Sequence, residues 1–230
     1  MISIIIPVYN HEEALHRSLV SLENQTFQDI EVIVVDDGSR KKLEIGDWKF
    51  SFKLVHQENS GAPAARNKGF ELSKGEYVIF WDADLIAEPE MLEKMVATLE
   101  RNKNASFVYS NFVFGRKKMK GLQWSNVTIK QCNYVHSTSL IRRTDAILWD
   151  ESLKKFQDWD YFLTLAEKGN IGIWLNEYLF RVELGGTMSA WLPRFAYHAP
   201  FKWFPGIAQK VQKYEVAKKI IQEKHHLSFD

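Results

Sequence analysis

The chain has 230 residues, 45% of them hydrophobic, enough for one large core or two small ones, and nothing in it marks a domain boundary. Its 30 basic and 29 acidic residues nearly balance, which excludes a nucleic acid or other polyanion recognised through overall charge. The single cysteine, Cys132, cannot close an internal disulfide, no apolar run approaches the roughly 20 residues that span a bilayer, and Ile2–Val8, interrupted by Ser3 and Pro7 with no basic region before it, does not read as a secretory signal; a soluble cytoplasmic protein is expected.

The β-branched run Ile2–Val8 predicts a buried strand ended by Pro7. Asn10-His-Glu-Glu13 then has the form of a capping box, with Asn10 as N-cap and Glu13 reaching back, ahead of Leu15, Leu19 and Leu22 at helical spacing. Residues 31–35 form a second strand that runs into Asp36-Asp37-Gly38-Ser39. A charged irregular stretch over 40–50 and a short strand over 52–56 lead to Ser60-Gly-Ala-Pro63, where Pro63 suits the first turn of a helix that stops near Gly75. Tyr77-Val-Ile-Phe-Trp-Asp-Ala-Asp-Leu85 is too short for a helix and predicts a buried strand, on which alternation turns Asp82 and Asp84 to one side. Pro89 starts a helix striped with Leu92, Met95, Val96 and Leu99, and 106–110 is a further strand.

The second half differs in character. Residues 112–135 mix Lys, Gly and aromatics without a period, as an antiparallel ribbon or a substrate loop would. Gln157-Asp-Trp-Asp160 opens a helix with Trp159, Phe162, Leu163 and Ala166 on one face, closed by Gly169, and Asp158 falls at or near its N-cap. A strand over 171–175 and a Gly-bearing loop over 180–189 follow. The tail, 191–230, is aromatic first (Trp191, Phe195, Trp203, Phe204) and then Lys-rich and helical.

Strands alternating with helices of this length imply a parallel sheet with right-handed crossovers, in which ligands gather at the carboxyl ends of the strands. Three such ends are polar: Pro7-Val-Tyr-Asn10, Asp36-Asp37 and Asp82-Ala-Asp84. Alone, an Asp-x-Asp is more often a helix cap. Three strand ends converging on one cleft favour the binding reading. Two carboxylates there repel unless a cation lies between them, and a hard divalent ion such as Mg²⁺ or Mn²⁺ suits oxygen ligands and phosphate alike.

Together these pieces resemble glycosyltransferase family 2, nucleotide-sugar-dependent enzymes of the GT-A fold. The resemblance lies in Ser3-Ile-Ile-Ile-Pro-Val-Tyr-Asn10, Val34-Val-Asp-Asp-Gly-Ser39, Gly61-Ala-Pro-Ala-Ala-Arg-Asn-Lys-Gly69, Asp82-Ala-Asp84, Trp149-Asp-Glu151 and Gln157-Asp-Trp-Asp160, in the family's order over about residues 1–190. It implies an α/β fold with a Rossmann-like, mostly parallel sheet flanked by helices. Residues 1–190 would be the catalytic domain, with a nucleotide-sugar part over 1–110 and an acceptor and base part over 111–190, followed by a helical tail over 191–230. It further implies Pro7, Tyr9, Asp37, Arg66 and Asp82 at the nucleotide donor, Asp82 and Asp84 on Mn²⁺ or Mg²⁺, and Asp158 as catalytic base. The default donor is a UDP-sugar, and the acceptor a saccharide or lipid-linked saccharide of cell-surface glycan synthesis. Inversion follows from in-line displacement, with base and leaving group on opposite faces of the sugar.

The chain departs from the family in three places. Gln157 stands where Glu usually precedes the base. Glu183, in Arg181-Val-Glu-Leu-Gly-Gly, stands at the place comparable to the one where many members carry a metal-proximal His, as either a metal ligand or a solvated loop carboxylate. The Gln-x-x-Arg-Trp signature of processive synthases is absent, which points to a single sugar transfer. Three rival readings are weaker. A response-regulator receiver is roughly half this length. A nucleotidyltransferase would need a Gly-rich basic loop where Pro7-Val-Tyr-Asn10 stands. A catalytically inactive sugar-nucleotide module would not need Asp82, Asp84 and Asp158 all intact. In the tail, Trp203 and Phe204 beside Lys210, Lys213, Lys218, Lys219 and Lys224 suit either packing on the body or peripheral contact with an anionic membrane face.

Overall fold

The computed structural model describes residues 1–183 and 207–227. The run of Ile and Val at the N-terminus forms β1 (Ile2–Val8), which pairs in parallel with β2 (Ile30–Asp36) on one side and β4 (Tyr77–Phe80) on the other; β2 pairs in parallel with β3 (Ser51–His56). The chain then adds β5 (Leu85–Ala87), β6 (Phe107–Phe114), β7 (Lys117–Met119), β8 (Leu140–Arg142) and β9 (Gly172–Val182). One mixed sheet results, in the order β3-β2-β1-β4-β8-β6-β9-β5 with β7 on β6. The half built from the first four strands is parallel, whereas β8 is antiparallel to both its neighbours and β5 is antiparallel to β9. β6 and β9 restore parallel pairing across a bulge at Asn111.

Side-chain alternation divides the core into two layers. Ile2, Ile4, Ile6, Ile79 and Trp81 face α1 (Glu12–Glu23) and α3 (Met91–Arg101), while Ile5, Val78 and Phe80 face α5 (Gln157–Glu167). α2 (Ala62–Leu72) lies on the second face, close enough that a Cβ on Gly69 would come within 2.3 Å of Ile5 Cγ2. α4 (Asn126–Gln131) is capped by Ser125, whose hydroxyl accepts from the Val127 and Thr128 N–H groups. The stripe expected on α3 is buried at Leu92, Met95 and Leu99. α6 (Ile207–Lys224) docks on this body through Ile221, fully buried in the α5 layer.

Several expectations are corrected. Pro7 lies inside β1 rather than ending it. The Ile5 carbonyl accepts the Trp81 N–H, so alternation turns the Pro7 nitrogen to the same side, beyond the end of β4 where no ladder bond is forfeited. The capping box does not form. The N-cap is His11, without a side-chain cap bond, and Asn10, in the left-handed region at φ 56°, accepts the Arg40 N–H and donates its own N–H to Ser39 Oγ. Asp82 and Asp84 are not on a strand: β4 stops at Phe80, and they sit in the tight turn to β5, closed by Leu85 N–H to the Asp82 carbonyl. Phe180, Arg181 and Val182, expected in a loop, end the long strand β9 because β5 and β6 give them partners. The ribbon over 112–135 forms as the β6–β7 hairpin and then gives way to α4. Trp191, Phe195, Trp203, Phe204 and the glycines of the loop after Glu183 lie outside the described residues.

Candidate active site

The turn after β4 is the centre of the cleft. Asp82 is held on both oxygens. Its Oδ1 accepts from Arg66 Nη2 at 3.0 Å, and its Oδ2 receives Ser137 Oγ at 3.4 Å with His136 Nε2 at 3.7 Å. Arg66 is buried at 3% exposure on α2, its guanidinium 4.5 Å above the Trp149 ring. Its Nη1 donates to Gln157 Oε1 at 3.3 Å, and its Nε has no hydrogen-bond partner among the described residues. One arginine thus ties the acidic turn to the start of α5. Asn67 fixes the stacking partner by exchanging two bonds with the Trp149 backbone, at 2.8 and 2.9 Å.

Asp84 is in a different state. Burial first, then the neighbouring charges of Asp82 and Glu183, push its carboxyl up to about 6. Among the described residues no cationic side chain forms an ion pair with Asp84. Glu183 is brought alongside by its backbone, its N–H donating to the Asp84 carbonyl at 3.0 Å, but its carboxylate is taken by Arg17 at 2.7 Å. Among the described residues no three His, Cys, Asp or Glu side chains form a ready cage. Two carboxylates with excess charge nonetheless fit a hard divalent cation that completes its shell with phosphate and water oxygens.

Asp158 occupies the second position of α5. The helix starts from Phe156, a non-glycine residue in the left-handed region at φ 57°, pinned by the Trp159 and Tyr214 rings. Asp158 is half-buried and its Oδ1 accepts the Trp159 N–H at 2.9 Å. Asp160 is turned away, 4% exposed, with its Oδ1 on His225 Nε2 at 2.8 Å and Lys224 Nζ at 2.7 Å.

Pro7, Tyr9 and Asp37, also expected at the nucleotide donor, lie one and two strands over, at the ends of β1 and β2. Pro7 and Tyr9 are half-buried at the end of β1. Asp37 is buried at 4% exposure and already holds three donors: Gln57 Nε2, the Ser60 N–H and the Gly61 N–H at the start of α2. It braces the loop whose Gly61, at φ 95°, turns the chain into the helix that carries Arg66. Arg66, Asp82, Gln157 and Asp158 are brought together; Asp37 connects to them through α2.

Sequence reasoning missed His136. It stands between the Phe112 and Phe180 rings, with centroids at 4.6 and 5.2 Å, and its Nδ1 accepts the Thr138 N–H at 3.1 Å. That bond puts the proton of the neutral ring on Nε2, facing Asp82. Burial holds His136 below the ordinary histidine range, although Asp82 and Asp158 pull the other way. The available signal was His136-Ser-Thr-Ser139, four polar residues directly before an apolar strand, three of them buried. Trp149, quoted only as part of a motif, proves to be the platform for Arg66.

Over 185 residues the chain is 28% identical to an uncharacterized glycosyltransferase of Haemophilus influenzae, covering 73% of this chain and 63% of that protein. The fold is similar to that of S. aureus TarS 1-349 in complex with UDP, with a TM-score of 0.67, 21% identity, and coverage of 80% of this chain and 60% of that one. It is also similar to the mannosyltransferase PcManGT from Pyrobaculum calidifontis in complex with GDP-Man and Mn²⁺, with a TM-score of 0.60, 16% identity, and coverage of 79% and 56%. The chain spans less than two thirds of the length of each of these proteins. These likenesses show a GT-A-type fold. The family model described as glycosyl transferase family 2 matches residues 3–149, from β1 to the tryptophan beneath Arg66, and the chain belongs to that family.

Proposed function

We propose that the protein transfers one sugar from a nucleotide diphosphate sugar to an acceptor hydroxyl, with inversion and with Mn²⁺ or Mg²⁺. The observation that carries this reading is the bridge from Asp82 through Arg66 to Gln157, beside Asp158. It couples a leaving-group site to a base site in one cleft. The unpartnered Nε of Arg66 supports it too, being a buried cationic donor next to the acidic turn and so suited to a phosphate oxygen. When bound, the cation would be held by Asp84 and Asp82 and would supply Lewis-acid neutralisation of the departing diphosphate. Arg66 orients Asp82 and adds positive charge on the same side. The Asp158 carboxylate accepts the proton of the acceptor hydroxyl as that oxygen attacks the anomeric carbon. The bond from that carbon to the diphosphate oxygen breaks on the opposite face, its electron pair leaving with the phosphate, and the configuration inverts.

Glu183 joins the cation in this proposal only if Arg17 releases it. UDP-sugar is the default donor, and the TarS and PcManGT structures, with UDP and with GDP-Man, support a nucleotide sugar in general. A cytoplasmic place with peripheral contact to an anionic membrane face through α6 belongs to the same proposal, with Lys210, Lys213 and Lys219 as exposed cations. No described helix is long and apolar enough to cross a membrane.

The test is a screen of the purified chain with MnCl₂ against a panel of nucleotide sugars, scored as release of the nucleoside diphosphate. The expected result is selective turnover of one donor that stops with EDTA. Turnover at full rate in EDTA would remove the cation from the proposal, and turnover of no donor would remove the transferase reading.

A further inference from the structure

Between Glu100 and Asp145 the sequence contains no acidic residue, whereas Lys and Arg recur along it. In a chain whose charges balance overall this is a strong segregation, and the fold concentrates it. The β6–β7 hairpin turns at Gly115 and carries Arg116, Lys117, Lys118 and Lys120, all exposed. Lys118 Nζ lies 5.2 Å from the centre of the Tyr178 ring, and Lys120 Nζ 5.5 Å from that of Trp174. These two rings of β9 hold the lysine stems along the sheet and line up their ammonium groups. Val113 is flanked by Lys118 on one side and the exposed Arg181 on the other, which widens the row.

The hairpin also borders the cleft. Phe112, opposite Met119, packs on His136. The Gly115 N–H donates to the Val182 carbonyl, and the next residue, Glu183, donates its N–H to the Asp84 carbonyl. The row of cations therefore begins beside the acidic turn and leads away from it.

We propose that the β6–β7 hairpin binds the acceptor, and that the acceptor is a polyanionic glycan whose repeating units carry phosphate or carboxylate. Its anionic groups lie against Arg116, Lys118 and Lys120 while one of its hydroxyls reaches Asp158. This rests on the transferase reading and adds the substrate class. A glycan fits better than a bilayer. Membrane insertion needs apolar side chains projecting beyond the cations, and the large apolar side chains nearest the turn, Phe114 and Met119, are both half-buried, Phe114 packed on the core and Met119 opposite Phe112.

The experiment compares the full chain with the Arg116→Gln/Lys118→Gln/Lys120→Gln variant, in which glutamine keeps much of each stem. Calorimetry is run with inorganic polyphosphate, alginate, neutral dextran, phosphatidylglycerol vesicles and, separately, UDP with Mn²⁺. The parent is expected to bind polyphosphate or alginate but not dextran, with affinity that falls as salt rises. Whichever polyanion binds identifies phosphate or carboxylate as the recognised group. The variant is expected to lose that affinity by about tenfold or more while binding UDP normally, which also shows that it is folded. Lys210→Gln/Lys213→Gln/Lys219→Gln on α6 should leave polyanion binding intact. The proposal is overturned if the hairpin variant binds the polyanions as the parent does, if dextran binds equally, if the α6 variant loses as much, or if only vesicle binding responds to the hairpin. Absence of UDP binding in the parent is a separate readout and would defeat the transferase reading instead.

Discussion

Asp158 and Asp160 stand two positions apart at the start of α5 and have opposite surroundings. Asp158 is half-buried, with one oxygen on its own helix N-terminus, whereas Asp160 is buried against His225 and Lys224. Asp158→Asn is therefore expected to bind donor and cation as the parent does, yet lose about 10²–10⁴-fold in transfer rate. Asp160→Asn should transfer sugar nearly normally but unfold at lower denaturant. His225 and Lys224 each keep a second carboxylate, Glu167 and Asp150, so the loss is about 1–3 kcal/mol. Steady-state rates and urea titrations of both variants check this, and the reverse ranking would mean the base is misassigned. Asp84 gives a pH prediction. Its carboxyl, pushed up to about 6, must be ionised to hold a cation. Mn²⁺-dependent UDP affinity should be full near pH 7.5 and fall as the pH drops through about 6; Asp84→Asn should remove both the affinity and its pH dependence. Arg66, Asp82, Asp84 and Asp158 can be singled out as candidates from the sequence because each lies in a short ordered motif. His136 was not, because its role comes from two rings and a backbone N–H brought together from β6, β9 and its own loop.

Local sequence explains the strands whose β-branched or aromatic runs can be recognised, namely β1 to β4 and the starts of β6 and β9. It does not explain β5, β7 and β8, three residues each, which are strands only because neighbours offer backbone partners. The same limit hid the end of β9 and the turn that brings Asp82 and Asp84 together. One glycine was legible as a stop but not for its reason. Gly75 lies against β1, its N–H on Ser3 Oγ at 2.7 Å, and a Cβ there would meet Ser3 N at 2.6 Å and the Tyr77 carbonyl oxygen at 2.8 Å. Two of these atoms are backbone in the central strands, so neither can swing aside. Gly75→Ala should cost about 1–3 kcal/mol, read as a lower urea midpoint. An unchanged midpoint would show that the loop entering β4 yields freely.

The expected division at residue 190 says nothing of how the tail meets the body, and the described part of that tail is joined to it. Ile221 is fully buried in the α5 layer, Tyr214 packs edge-on to Phe156 beside Asp158, and Lys224, expected among the membrane-facing cations, turns inward to Asp150 and Asp160. This docking was illegible because Asp160 and His225 are 65 residues apart and each alone reads as a surface residue. His225 is the latch, with Nε2 on Asp160 and Nδ1 on Glu167, both at 2.8 Å, so both ring nitrogens face carboxylates. Burial opposes its charge, but the hydrogen bonds and charges of Asp160 and Glu167 outweigh that and raise its pKa. The sign follows from linkage. A folded value above the unfolded one, about 6.5, means more protons bound in the folded state, so the contribution is fully present below about pH 6.5 and disappears as the pH rises through the raised value. Lys224 stays charged across this range, its pKa raised as well although burial opposes it. The parent should therefore lose thermal stability as the pH rises above about 6.5, while His225→Gln starts lower below that pH and shows a flatter profile. Because α6 also supports Phe156, proteolysis of the 207–227 segment should quicken with pH in the parent and be fast throughout in the variant. Identical pH slopes for the two proteins would show that packing at Ile221, not the imidazolium, holds the helix.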